Sequence, residues 1–144
     1  MIKTFRGLIV DGGQDKINLH TGDGAMGYRI IKFELFPAKF GYFDQKSTVT
    51  IFKIPQTTSP SSLVDFSEST LLGASCLSTD NSEANPLNIT TIFDQEVFNQ
   101  DIYLAHNDAH SDANPVNYYL ELEQIKLSDN ENTVATLKDI KANA

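Results

Sequence analysis

The chain has no tryptophan, two methionines and a single cysteine, Cys76, in 144 residues. One cysteine cannot close an internal disulfide, so the fold must rest on its own core, and a lone thiol fits a chain made in a reducing cytoplasm. The setting of Cys76, LLGASCL, is apolar and points to a buried, inert thiol. Basic residues are also few: 11 against 19 acidic ones, a formal net charge of −8. An acidic surface repels phosphate backbones and anionic headgroups, so neither nucleic acid nor membrane is an expected partner. No apolar run approaches the ~18 residues of a membrane span. The apolar stretch in MIKTFRGLIVDGG is too short and interrupted for a signal peptide, and the mature protein is expected to start at Met1. The chain also lacks a Gly-Lys-Ser/Thr phosphate loop and a Gly-x-Ser-x-Gly elbow, and no nucleophile–base pair or closed metal cage stands out in it.

What is present is an apolar, aromatic chain: 40% hydrophobic, with nine Phe and five Tyr. That composition is globular, and the length suits one domain, residues 1–144, able to bury a core without staples. The most informative segment is NYYLELEQIKL, residues 117–127. Tyr118, Leu120 and Leu122 share one parity and Glu121 and Glu123 the other, as a strand with one dry and one wet face requires. Ile125 and Leu127 are apolar on the glutamate side, which predicts a bulge or bend near Gln124.

Further strands are expected over residues 4–10, 16–19, 28–36, 47–54, 70–78, 87–93 and 101–105, separated by turn signals such as Asp11-Gly12-Gly13 and stops such as Pro37 and Pro55. In the third of these, Ile31, Phe33 and Leu35 are expected to share a face. The tail, residues 128–144, supports two readings. Ser128 with Glu131 resembles a capping box ahead of Val134, Leu137 and Ile140. The β-branched Thr133, Val134 and Thr136, after a polar turn, favour a final strand or arm, and that is the expectation adopted. About eight or nine short strands with regular turns make the fold class all-β, an antiparallel β-sandwich of jelly-roll type.

Four groups of residues could carry chemistry. His106, Asp108, His110 and Asp112 alternate; on an extended strand all four would point one way and offer two imidazoles and two carboxylates, a set that suits zinc. The segment lacks apolar partners and ends at Pro115, so it is read as a solvated loop, and neither a metal nor a cofactor is expected. Asp11, Asp15 and Asp23 lie among glycines and could offer oxygens to calcium, but Asp-Gly is ordinary turn chemistry. Glu121 and Glu123 are read as an exposed row on an amphipathic strand, in reach of cross-strand lysines. Phe40, Tyr42 and Phe43, in the loop after Pro37, are interface candidates or, alternatively, a plug over one end of the sandwich.

Four segments also carry a resemblance: GYRIIKF (27–33), FDQEVFNQDIY (93–103), NYYLELE (117–123) and NTVATLKDI (132–140). They resemble a family of small proteins of marine tailed bacteriophages, described as virion structural proteins. The likeness runs from about Arg6 to Ile140 and is weakest in residues 37–45 and 107–114. It implies a virion component and not an enzyme, made in the host cytoplasm, and carries no assigned site residues. A capsid decoration (cement) protein is the first expectation, bound to the major capsid protein and to copies of itself, for instance as a trimer. A head–tail or tail-surface protein is the near alternative. A carbohydrate-binding module using Tyr42, Tyr103 and Tyr119 is weakened by the absence of tryptophan, and a hydrolase built on the His106–Asp112 run ranks last.

Overall fold

The computed structural model describes residues 1–39, 44–57, 63–80 and 83–143. Among these, eight strands and one helix follow in order: β1 (Ile2–Ile9), β2 (Gln14–Ile17), β3 (Met26–Pro37), β4 (Gln45–Phe52), β5 (Leu71–Asp80), β6 (Glu83–Ile92), β7 (Ile102–Asp108), β8 (Val116–Lys126) and α1 (Asp129–Asn143). They form two antiparallel sheets, β1-β8-β3 and β2-β7-β4-β5-β6. The expected β-sandwich is what the chain forms.

The pairing shows how the sandwich is wound. Wrapping one long antiparallel ladder into a jelly roll sets strand 1 beside 8, 2 beside 7, 3 beside 6 and 4 beside 5. Three of these rungs are present, β1–β8, β2–β7 and β4–β5. The fourth is replaced: β6 turns back on β5 as a hairpin, not onto β3. The three-stranded sheet therefore ends at β3, and β6 extends the other sheet to five strands.

The dry face of each strand follows from alternation. Val49 and Ile51 of β4, Ile102 and Leu104 of β7, and Val116, Leu120 and Leu122 of β8 are almost wholly buried between the sheets. At about 1.5–3 kcal/mol for each fully buried aliphatic side chain, this layer is the main source of stability. Tyr118 joins it from β8 and reaches under β1 toward Asp15 of β2. Only a glycine lets it pass: a Cβ on Gly7 would lie 2.9 Å from the Tyr118 ring. Burial and the Asp15 carboxylate beside it push the Tyr118 phenol up to about 12.

Four expectations need correction. The irregularity predicted near Gln124 lies on the partner strand, where the β3–β8 register shifts between Ile30 and Lys32. Ile31 is the extra residue, so Ile30, Phe33 and Leu35 are the buried set and Ile31 is only half-buried. The strand β8 itself stays in phase. Ile125 is apolar on the glutamate side because it lines a cleft against α1 with Val134 and Ala135.

The tail, expected as a strand or arm, is that helix. Ser128 Oγ accepts the Glu131 backbone N–H at 3.2 Å, which caps its first turn. Ala135 is buried, and Thr136 Oγ1 accepts from Asn99 Nδ2 at 2.8 Å. Capping and docking outweigh the β-branched residues, whose penalty in a helix is only about 0.5 kcal/mol each. Finally, Cys76 is half-buried and not wholly enclosed.

Candidate functional site

The His106–Asp112 run lies at one end of the sandwich, and the structure divides it in two. His106 and Asp108 belong to β7, not to a solvated loop. They continue the parity of Ile102 and Leu104, so both turn inward. His106 is 0% exposed. Its Nδ1 lies 3.0 Å from the Ile9 carbonyl and 3.1 Å from that of Val10. A carbonyl only accepts, so Nδ1 carries the proton and Nε2 is left as the acceptor. Ser47 Oγ, 2.8 Å from Nε2, is then the donor. Ser47 in turn accepts from Gln45 Nε2 at 2.8 Å, and the same amide donates to the Pro115 carbonyl at 3.0 Å.

This buried chain joins the β1 end, β7, β4 and the start of β8. It also contains a serine–histidine pair that no sequence motif announces. Chemically such a pair can activate a hydroxyl, but Ser47 is 1% exposed, so the contact ties core strands together and offers a substrate no access. The sequence signal for it was parity: Ser47 and His106 stand on the core faces of neighbouring strands.

Asp108 organises the loop that follows. Its carboxylate accepts the backbone N–H groups of Lys46 (3.0 Å), His110 (3.0 Å) and Asn114 (2.7 Å). Its own N–H is taken by Asp11 Oδ1 at 2.7 Å. Held this way, the loop carries Ala113 through a left-handed φ of 51°. It also sets His110 and Asp112 beside Asp44, which precedes β4. His110 Nε2 lies 3.4 Å from Asp44 Oδ2, and His110 Nδ1 lies 3.5 Å from Asp112 Oδ2. Ligand-capable atoms of the three residues all fall within 4.8 Å of one another.

Two of the four sequence candidates thus meet, and they meet with an aspartate the sequence reading did not single out. One imidazole and two carboxylates suit a divalent transition metal. The Asp112 backbone N–H also donates to His110 Nδ1 at 3.2 Å, and all three residues are partly or fully exposed.

The three aspartates weighed for calcium do not converge. Asp11 holds Asp108, Asp15 faces Tyr118, and Asp23 accepts from Thr21 Oγ1 and the Ala25 N–H. Those bonds from Ala25 and Thr21 hold the Asp23 carboxyl below its usual value. Each carboxylate has its own separate partners. Phe40, Tyr42 and Phe43 lie outside the described residues.

Recesses are also present among the described residues, two of them as follows. One, of about 390 Å3, lies between α1 and the end of β8, with Val97, Ile125, Leu127, Val134 and Ala135 as apolar lining and Lys138 among its polar residues. The other, of about 300 Å3, crosses the outer face of the three-stranded sheet between two side-chain rows. The register sets Arg6, Tyr119 and Glu34 in one row and Leu8, Asn117 and Phe36 in the next. Tyr119 donates to Glu121 at 2.7 Å, and the glutamate raises its phenol above the usual value. Lys32 Nζ stands 5.8 Å from the centre of the Tyr119 ring. Among the described residues, no helix is long and apolar enough to cross a membrane.

The chain matches no protein-family model, and no curated protein matches it.

Proposed function

We propose that the protein is a structural component of a bacteriophage virion, a decoration (cement) protein held on the outside of the capsid shell by the major capsid protein and by copies of itself. The observation that carries this reading is where the apolar side chains stand. Leu8 and Phe36 are 53% and 63% exposed on the outer face of one sheet, and Leu87 and Ile89 are 57% and 56% exposed on the edge strand of the other. These are positions for adhesion to neighbours, on a sandwich whose interior is filled. The histidine–serine contact between His106 and Ser47 lies in the core. The likeness of residues 27–33, 93–103, 117–123 and 132–140 to phage virion proteins supports the same reading. A shell protein needs only modest contacts, because repetition over a lattice turns weak binding into firm retention.

The reading is tested on virions of the phage that encodes the chain. Mild denaturant should release the protein before the shell opens, and the purified protein should rebind to stripped shells. Release only on collapse of the tail would place it at the head–tail junction or tail instead.

The trough on the three-stranded sheet supports a second reading, a glycan-binding virion module. Tyr119 and Phe36 supply apolar surface there, and Arg6, Glu34 and Asn117 supply hydrogen-bonding groups. Saturable binding on a glycan array, lost in Tyr119→Ala, would favour it over decoration.

A further inference from the structure

The four strands that end the two sheets are not equally protected. An open edge offers unpaired N–H and C=O groups to any passing strand, and proteins guard such edges with charge, shortness or cover. The edge of β1 carries Lys3 and Arg6. The strand β2 has four residues, two of them charged, and Gln14 on it accepts the Gln56 N–H at 2.7 Å. The edge of β3 is met at Tyr28 by Phe98, through backbone bonds of 2.8 and 2.9 Å, and at Leu35 by Asn88 Nδ2.

Among the described residues, β6 has none of these guards between Leu87 and Ile92. Its sequence there is LNITTI, uncharged and rich in β-branched side chains. Its inner face meets β3 through Asn88, but its backbone pairs on one side only, because the fourth jelly-roll rung is missing. Four successive residues, Leu87, Asn88, Ile89 and Thr90, are exposed, from both faces of the strand. Among the described residues its ladder pairing is with β5 alone.

We propose that this strand is a self-association edge: β6 of one molecule pairs antiparallel with β6 of a second copy, joining two five-stranded sheets into one of ten. Charge selects the occupant. Two copies that each carry −8 repel wherever acidic surfaces meet, and a two-fold contact brings like residues together. An uncharged strip meets its own copy without that repulsion, and LNITTI is such a strip. Across the two-fold, Leu87 and Ile89 of both molecules form one apolar row on the outer face. The inference goes beyond the virion reading and does not need it, since it concerns only the chain with itself.

The test is sedimentation equilibrium of the full chain, wild type beside the double variant Leu87→Lys and Ile89→Lys, with Leu8→Lys as the control on the other sheet. All three substitutions are at exposed positions, and circular dichroism checks that the variants fold. The expected result is a wild-type dimer, an unchanged dimer for L8K, and a dissociation constant raised at least about tenfold for L87K/I89K, since opposed like charges are strongly unfavourable at a contact. Hydrogen exchange gives a second readout on unmodified protein: amides of β6 should gain protection as concentration rises, while those of β1 do not. A wild type that stays monomeric at all concentrations would overturn the proposal. So would a dimer indifferent to the β6 lysines, or one broken by L8K.

Discussion

The carboxylate of Asp101 shows how a single side chain ties the fold to pH. Its Oδ1 accepts the backbone N–H of Leu19 at 2.8 Å and of His20 at 3.0 Å, and lies 2.8 Å from His20 Nδ1. Burial by itself would raise its pKa, but the hydrogen bonds and the nearby imidazole outweigh that and hold it at about 2. A folded pKa below the unfolded one means the ionised group stabilises the fold. That contribution is complete above the ordinary value of 3.8 and drains away as pH falls through about 2. Asp101→Asn should therefore lower stability at pH 7 by about 1–2 kcal/mol, and the gap from wild type should close between pH 4 and 2. Thermal melts across that range check it, and a gap that stays constant would contradict it. The two histidines of the β7 region give a sharper contrast. His106→Ala removes a buried ring that holds four segments and should cost about 3 kcal/mol in urea unfolding. His110→Ala removes contacts to Asp44 and Asp112 at a partly exposed site and should stay within about 0.5 kcal/mol. Equal losses would refute the division of the run into a core half and a surface half. That division was legible in part: His106 and Asp108 keep the parity of Ile102 and Leu104, but polar side chains on a core face look like loop until their partners are known. Ser47 and the two carbonyls that satisfy His106 are remote in sequence, and no local pattern announces them.

Among the elements, strands were legible because their signal is local. Alternation and turn residues placed all eight within a few positions, from β1 at Ile2–Ile9 to β8 at Val116–Lys126. The bulge was misplaced because a break in phase on one strand and cover by a helix leave the same trace, apolar Ile125 where a polar residue was due. Ile31 was the other half of that ambiguity: the adjacent pair Ile30 and Ile31, three and two residues before Phe33, does not tell which one steps out of line. The helix α1 was misread for a different reason. Its β-branched Thr133, Val134 and Thr136 speak for strand, while the deciding contacts, Ala135 against the sheet and Thr136 with Asn99, come from elsewhere in the chain. The cap was the local clue. Ser128→Ala should therefore lose about 1 kcal/mol of helix stability, seen as a smaller 222 nm signal with the near-ultraviolet aromatic bands unchanged. Loss of both together would mean the helix and the sandwich fold as one unit.

At the scale of the whole molecule, the architecture leaves one sheet two strands wider than the other, with β6 at its edge. The composition foretold a sandwich but not which rung of the jelly roll would fail, since pairing of β6 with β5 or β3 depends on long-range register and not on either strand's own pattern. The result is a filled core and outer faces that carry the exposed apolar side chains, which is why the account rests on assembly and not on catalysis. Its central claim is answered most directly by quantitative mass spectrometry of purified virions. The account predicts a copy number on the order of hundreds, in fixed proportion to the major capsid protein, as symmetric decoration of a shell requires. About six or twelve copies would move the protein to the neck or tail, and its absence from the virion would contradict the account outright.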